Sequence, residues 1–194
     1  MNSRNPVTAT ANVRSQRADG RRNRDMILAV ARDAFAEGGS SISMAEISRR
    51  SRVGMATLYR NFPNRKSLLE ALYLGNVMEL ARSAADLTEL PPWEALAVWL
   101  HRFADYFAAK EAIATELLDL SDGTAPVFTD SRRILLAAAQ PLLDRAQQSG
   151  DVRADTNLEQ VMAMVVGIVK IPSTQPGDVD HILDIALDGL RPRT

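Results

Sequence analysis

Apolar residues along the chain recur at spacings of three and four, and no stretch alternates convincingly with period two. The pattern therefore predicts an all-α protein of about nine helices. From Arg21 one apolar face collects Ile27, Val30, Ala31, Ala34 and Phe35, and the two glycines of EGGS (Glu37–Ser40) end that helix. Ser43 and Glu46 stand as a capping box before a short helix reaching about Arg50. SRVG (Ser51–Gly54) is the turn, and MATLYRN (Met55–Asn61) is a second short helix closed by Phe62-Pro63. Asn64 caps a long fourth helix, Arg65 to about Leu87, roughly 35 Å at 1.5 Å per residue. Further helices are predicted over 92–109, 111–120, 127–149 (with Pro141 inside as a kink), 158–171 and 178–190.

The pattern divides the chain into a disordered basic arm (1–20), a small helical domain (21–70) and a larger helical domain (71–194). Charge sharpens the division. Residues 1–70 hold 13 Lys and Arg against 6 Asp and Glu, a balance of +7; residues 71–194 hold 10 against 18, a balance of −8. A basic front and an acidic back point to a polyanion partner for the front alone. The chain has no cysteine, so disulfides and thiolate metal sites are excluded. The longest apolar run, Met162–Val169, is too short to span a bilayer, and a cytoplasmic protein with no membrane partner is expected.

A helix as short as Met55–Asn61 does not stand alone in water. Ile47, Val53, Leu58 and Phe62 are the residues that would anchor it and its neighbour. Met55, Ala56, Thr57, Tyr59, Arg60 and Asn61 then face outward, as small, hydroxyl and cationic groups suited to a major groove. Ser43 at one helix start, Arg65 and Lys66 at another, and the arginines before the first helix, Arg21 and Arg22 among them, would meet phosphates.

These residues carry a resemblance. AFAEGG followed by ISMAEISRRSRVGMATLYRNFPNRKSLLEAL is similar to the helix-turn-helix DNA-binding domain of tetracycline-repressor-type (TetR family) regulators. Leu58-Tyr59, Phe62 and the basic residue at 65 are its specific marks. Three positions depart from the usual pattern: Gly54 where Ser is common, Ala56 where Gly is common, and Asn61 where His is common. The stretches PPWEALAVWLHRFADYFAAK, LDLSDGTAPVF and AAQPLLDRAQQSGDVRAD resemble the SbtR-like C-terminal class of the same family. The resemblance implies a homodimer that binds a palindromic double-stranded DNA operator and is released by a small-molecule effector.

Two features of the larger domain bear on that expectation. Leu158 to Ile171 is apolar over roughly 220° of the helix surface and Val179 to Leu190 over roughly 200°, more than one neighbour covers. A dimer interface through Val161, Val165, Ile168, Ile182, Ile185 and Leu190 is expected. Trp99, Phe103 and Tyr106, with His101 at the stripe's border, are the candidates for contacting an apolar or aromatic ligand. His101 and His181 lie 80 positions apart without metal-ligand spacing, so no metal or other cofactor is expected. No catalytic constellation is legible, and no enzyme activity is expected. Two alternatives remain at this stage. One is a helical small-molecule-binding protein or enzyme with an incidental basic front; the other is an architectural DNA binder without a ligand.

Overall fold

The computed structural model describes residues 6–121, 125–172 and 177–192, with side chains left aside for 6–18, 38 and 40. Among the described residues the regular structure is entirely helical. It comprises α1 (Pro6–Gly38), α2 (Met44–Ser51), α3 (Met55–Asn61), α4 (Arg65–Ser83), α5 (Pro92–Asp119), α6 (Pro126–Gln148), α7 (Leu158–Val169) and α8 (Asp178–Asp188). Short 3-10 turns cover Gly39–Ser41 and Ala85–Leu87. The chain divides into two compact units between Leu72 and Tyr73.

Three boundaries differ from the sequence pattern. α1 begins at Pro6, not Arg21, so the expected arm is helical from Pro6 onward. That stretch is rich in alanine and arginine, strong helix formers, and Pro is at home in a first turn. Its lack of apolar residues had made it read as an arm. The two helices expected over 92–109 and 111–120 are a single helix, α5, because nothing in Ala109-Lys110-Glu111 breaks one. α4 ends at Ser83, and its last expected turn is the separate 3-10 turn.

In the first unit α1, α2 and α3 pack on one another. Ile27, Ala31, Ala34, Ile47, Leu58 and Phe62 are buried there, as the periodicity required. The turn between α2 and α3 is made at Arg52, whose φ of 54° is in the left-handed region, and its N–H and that of Val53 return to the α2 carbonyls. Gly54, by contrast, has φ −60° and needs no glycine. Ser48 is buried and donates its hydroxyl to the Val53 carbonyl at 2.6 Å, tying the turn shut.

The second unit is built around α5, which packs on α6, α7 and α8, while α7 also packs on α6 and α8. Trp99 lies fully buried at its centre, stacked on Phe103 (centroids 5.7 Å, planes 3° apart), and its indole N–H donates to the Leu80 carbonyl at 3.2 Å. α7 starts with a complete capping box: Asn157 accepts from the Gln160 N–H at 2.9 Å, and the Gln160 side chain accepts from the Asn157 N–H at 3.1 Å.

Candidate nucleic-acid interface and cavity

α3 is held from below. Leu58 is fully buried, and Phe62 closes the helix beneath it. The residues that face water are those the pattern selected: Met55 (39% exposed), Ala56, Tyr59 (45% exposed) and Arg60, with Thr57 and Asn61 half-buried. The polar ones bond among themselves. Arg60 donates to the Thr57 hydroxyl at 2.7 Å, and the Asn61 amide donates to the Thr57 carbonyl at 2.9 Å. Ser43 caps α2 by accepting from the Glu46 N–H at 3.2 Å. The reciprocal half of the expected capping box is missing, because the Glu46 carboxylate turns instead to Arg49 (2.6 and 2.8 Å) and Arg50 (2.7 Å). Those two guanidiniums hold the Glu46 carboxyl down at about 2. Arg50 also reaches Glu37 at 2.6 Å, linking α2 to α1.

Two arginines do work that their sequence positions conceal. Arg65, expected at phosphate, is half-buried; it donates to the Ile42 carbonyl and lies over the Phe35 ring, 5.1 Å from its centroid. Its charge is spent joining the start of α4 to the segment before α2. Arg24, one of the arginines expected to meet phosphates, donates to the Asn61 carbonyl at 3.1 Å and lies 4.4 Å from the Phe62 centroid. It thereby completes the C-terminal end of α3, where unpaired carbonyls favour a cation. Nothing in the sequence links positions 24 and 61. Lys66 lies 4.0 Å from Glu70, and Arg22 pairs with Asp19, while Arg21 is exposed.

The second unit holds a half-open cavity of about 600 Å³. Phe103 and Tyr106 line it, and Tyr73, Phe107 and Phe128 join them. Trp99 and His101 do not. Trp99 is sealed in the core, and His101 faces Asp184 on α8, with Nε2 to Oδ1 at 3.0 Å. The Tyr106 hydroxyl is buried, and the Tyr73 phenol is its one polar neighbour. Burial first, and that phenol second, push the Tyr106 hydroxyl well above the ordinary range, so it stays protonated.

The expected dimer residues also redistribute. Val161, Val165, Ile168 and Leu190 are buried within the unit, because α7 is flanked by α5, α6 and α8, while Met164, Val166 and Val169 of the same helix stay partly buried. Ile182 is half-buried, and Ile185 is 60% exposed. Ile171, just past α7, is also exposed.

With this geometry in place, comparison with known proteins is decisive. Residues 27–72 match the family described as bacterial regulatory proteins, tetR family. Residues 91–192, over half of the chain, match the transcriptional regulator SbtR-like C-terminal domain. The chain belongs to the TetR family of transcriptional regulators. This TetR-family regulator is 39% identical to the crystal structure of the TetR transcriptional regulator SCO0520 from Streptomyces coelicolor. The match covers 88% of this chain and 99% of that one, with a TM-score of 0.73. A TetR transcription regulatory protein from Mycobacterium vanbaalenii is 31% identical over 91% of this chain and 99% of its own (TM-score 0.67). A helix-turn-helix-type transcriptional regulator of Mycobacterium bovis is 27% identical over 157 residues, covering 77% of this chain and 78% of the relative.

Proposed function

We propose that this regulator binds a two-fold symmetric DNA operator as a homodimer, represses from it, and lets go when a small apolar or aromatic molecule occupies the cavity of the second unit. The observation that carries the DNA half is α3: a seven-residue helix fixed by Leu58 and Phe62, with Met55, Ala56, Thr57, Tyr59 and Arg60 on its open side. In this reading Thr57 and Arg60 exchange their mutual hydrogen bond for base edges or phosphates, Tyr59 donates to a phosphate, and Ser43, Lys66, Arg21 and Arg22 meet the backbone. Arg65 and Arg24 position the helix and touch no DNA. The dimer half rests on the apolar side chains left at the surface after α7 and α8 have packed, Ile171 and Ile185 with Ile182 beside them.

The effector half rests on the cavity and on α4. That helix gives Leu68 and Leu69 to the buried set of the first unit and Tyr73 to the cavity wall of the second. A molecule that moves Tyr73 moves α4. By linkage, it binds the DNA-bound form more weakly by the same factor by which it weakens DNA binding. We assign the chain no reaction of its own and place it with its DNA in the cytoplasm; no helix among the described residues is long and apolar enough to cross a membrane.

The test is selection of bound sequences from a random DNA pool, followed by polarisation titration of the selected site. A two-fold symmetric site bound with one dimer's stoichiometry is expected. Asymmetric or unselective binding would overturn the operator reading.

A further inference from the structure

The cavity of the second unit has aromatic walls and two buried hydroxyls whose hydrogen bonding is incomplete. Tyr73 stands edge-on to Phe128 (centroids 5.1 Å, 81°) and to Tyr106 (6.2 Å, 64°), and Phe103 and Phe107 continue the wall. Among the lining residues are Ser131, whose buried hydroxyl has no hydrogen-bond partner, and Tyr106, whose buried hydroxyl has only the Tyr73 phenol beside it. Ser131 is only 2% exposed. Buried hydroxyls are paired in nearly all folded proteins, and an unpaired one beside a half-satisfied one is what a ligand's polar group would complete. The charged residues of the lining are nearly balanced: Lys110, Arg132 and Lys170 stand against Glu111 and Glu159, and Arg132 pairs with Glu159 at 3.2 Å.

From this we infer that the effector is a neutral oxygenated aromatic compound, its ring among Tyr73, Phe103, Phe107 and Phe128 and its hydroxyl or carbonyl oxygen bonded to Tyr106 and Ser131. The inference rests on the reading of this cavity as the effector site. A volume of about 600 Å³ accommodates a molecule of one to three rings. Edge and face contacts with five rings favour an aromatic body over an equally large aliphatic one. The protonated Tyr106 hydroxyl is a donor, and Ser131 can donate or accept, so one hydroxyl or carbonyl oxygen meets both. A carboxylate bonded to Tyr106 and Ser131 would leave water for two neutral hydroxyls, which is costly, and of the lining cations Arg132 already pairs with Glu159 and Lys170 lies over the Phe107 ring.

Isothermal titration of the full chain with 2-naphthol, 2-methylnaphthalene and 2-naphthoate tests this, since the first two differ by a hydroxyl against a methyl of similar size. 2-Naphthol is expected to bind at least about tenfold more tightly than 2-methylnaphthalene, because a site built to hydrogen-bond an oxygen rejects the analogue lacking it. Tyr106→Phe and Ser131→Ala should each remove most of that preference. Equal binding of the two compounds, a preference that survives both substitutions, or tightest binding of 2-naphthoate would overturn the inference and leave the cavity reading intact. Absence of binding by all three would overturn both.

Discussion

Truncating Arg24 and truncating Arg60 should have opposite consequences, although both are exposed arginines of the DNA-binding unit. Arg24→Ala removes a hydrogen bond to the last carbonyl of α3 and the cation over Phe62. A hydrogen bond of this kind contributes about 0.5–1.5 kcal/mol net, and a cation over a ring at an exposed site about 0.5–1 kcal/mol. The sum, about 1–2.5 kcal/mol, corresponds to a factor of roughly 5–70 in the local opening equilibrium. Hydrogen-exchange mass spectrometry of peptides spanning 55–69 should show amide exchange accelerated by that factor. Operator affinity, measured where the variant is still fully folded, should stay near the parent's. Arg60→Ala removes only a surface bond to Thr57, so its effect on stability should lie within about 0.5 kcal/mol. Its loss should appear in binding instead, by about 1–3 kcal/mol if a base contact is lost. The reasoning is refuted if Arg24→Ala exchanges like the parent yet binds DNA poorly, since Arg24 would then be a DNA contact and not a support.

Three further outcomes are expected. Gly54→Ser should stabilise α3 by up to about 1 kcal/mol, because its φ of −60° suits any residue, a Cβ meets nothing within 4 Å, and the hydroxyl can cap the helix; slower exchange across 55–61 would confirm it, and faster exchange would contradict it. Ile185→Asp should leave the fold intact and shift the light-scattering mass toward the monomer, whereas Val165→Asp should give insoluble protein by burying an unpaired carboxylate; a folded Val165→Asp protein would count against the assigned core. The Glu46 carboxyl, held at about 2 in the folded unit against an ordinary 4.5, lends stability that is complete above pH 4.5 and lost as pH falls toward 2. Glu46→Gln should therefore differ most from the parent in exchange rates at pH 6, with the gap closing on acidification; a gap independent of pH would show that the ion pairs contribute nothing.

Much of this was legible in the order of residues. A helix must repeat its apolar side chains every three to four positions, so Ile47, Leu58 and Phe62 could be assigned to the core and Met55, Tyr59 and Arg60 to the surface. Asn64 could likewise be assigned as a cap, since capping involves only residues within one turn; it accepts the N–H three residues on. What one helix alone cannot carry is the identity of its neighbours. Val165 and Ile182 look alike on a helical wheel; only the crowding of α7 among α5, α6 and α8 made the first a core residue and left the second half-open. Trp99 and Phe103 lie one turn apart on α5, yet Trp99 found the Leu80 carbonyl in the core while Phe103 reached the cavity. Tyr73 entered that cavity from α4, thirty or more positions from the ring partners it meets. Arg24 and Arg65 read as two more charges in a basic region, until folding brought them to the Asn61 and Ile42 carbonyls, 37 and 23 positions away. The sequence by itself determined the helices, their caps and the outward face of α3, because those depend on neighbours within a turn. Which arginine supports α3 and which stays at its surface, which apolar residues remain exposed, and which side chains line the cavity were decided by tertiary packing, because each depends on a group that only the folded chain brings near.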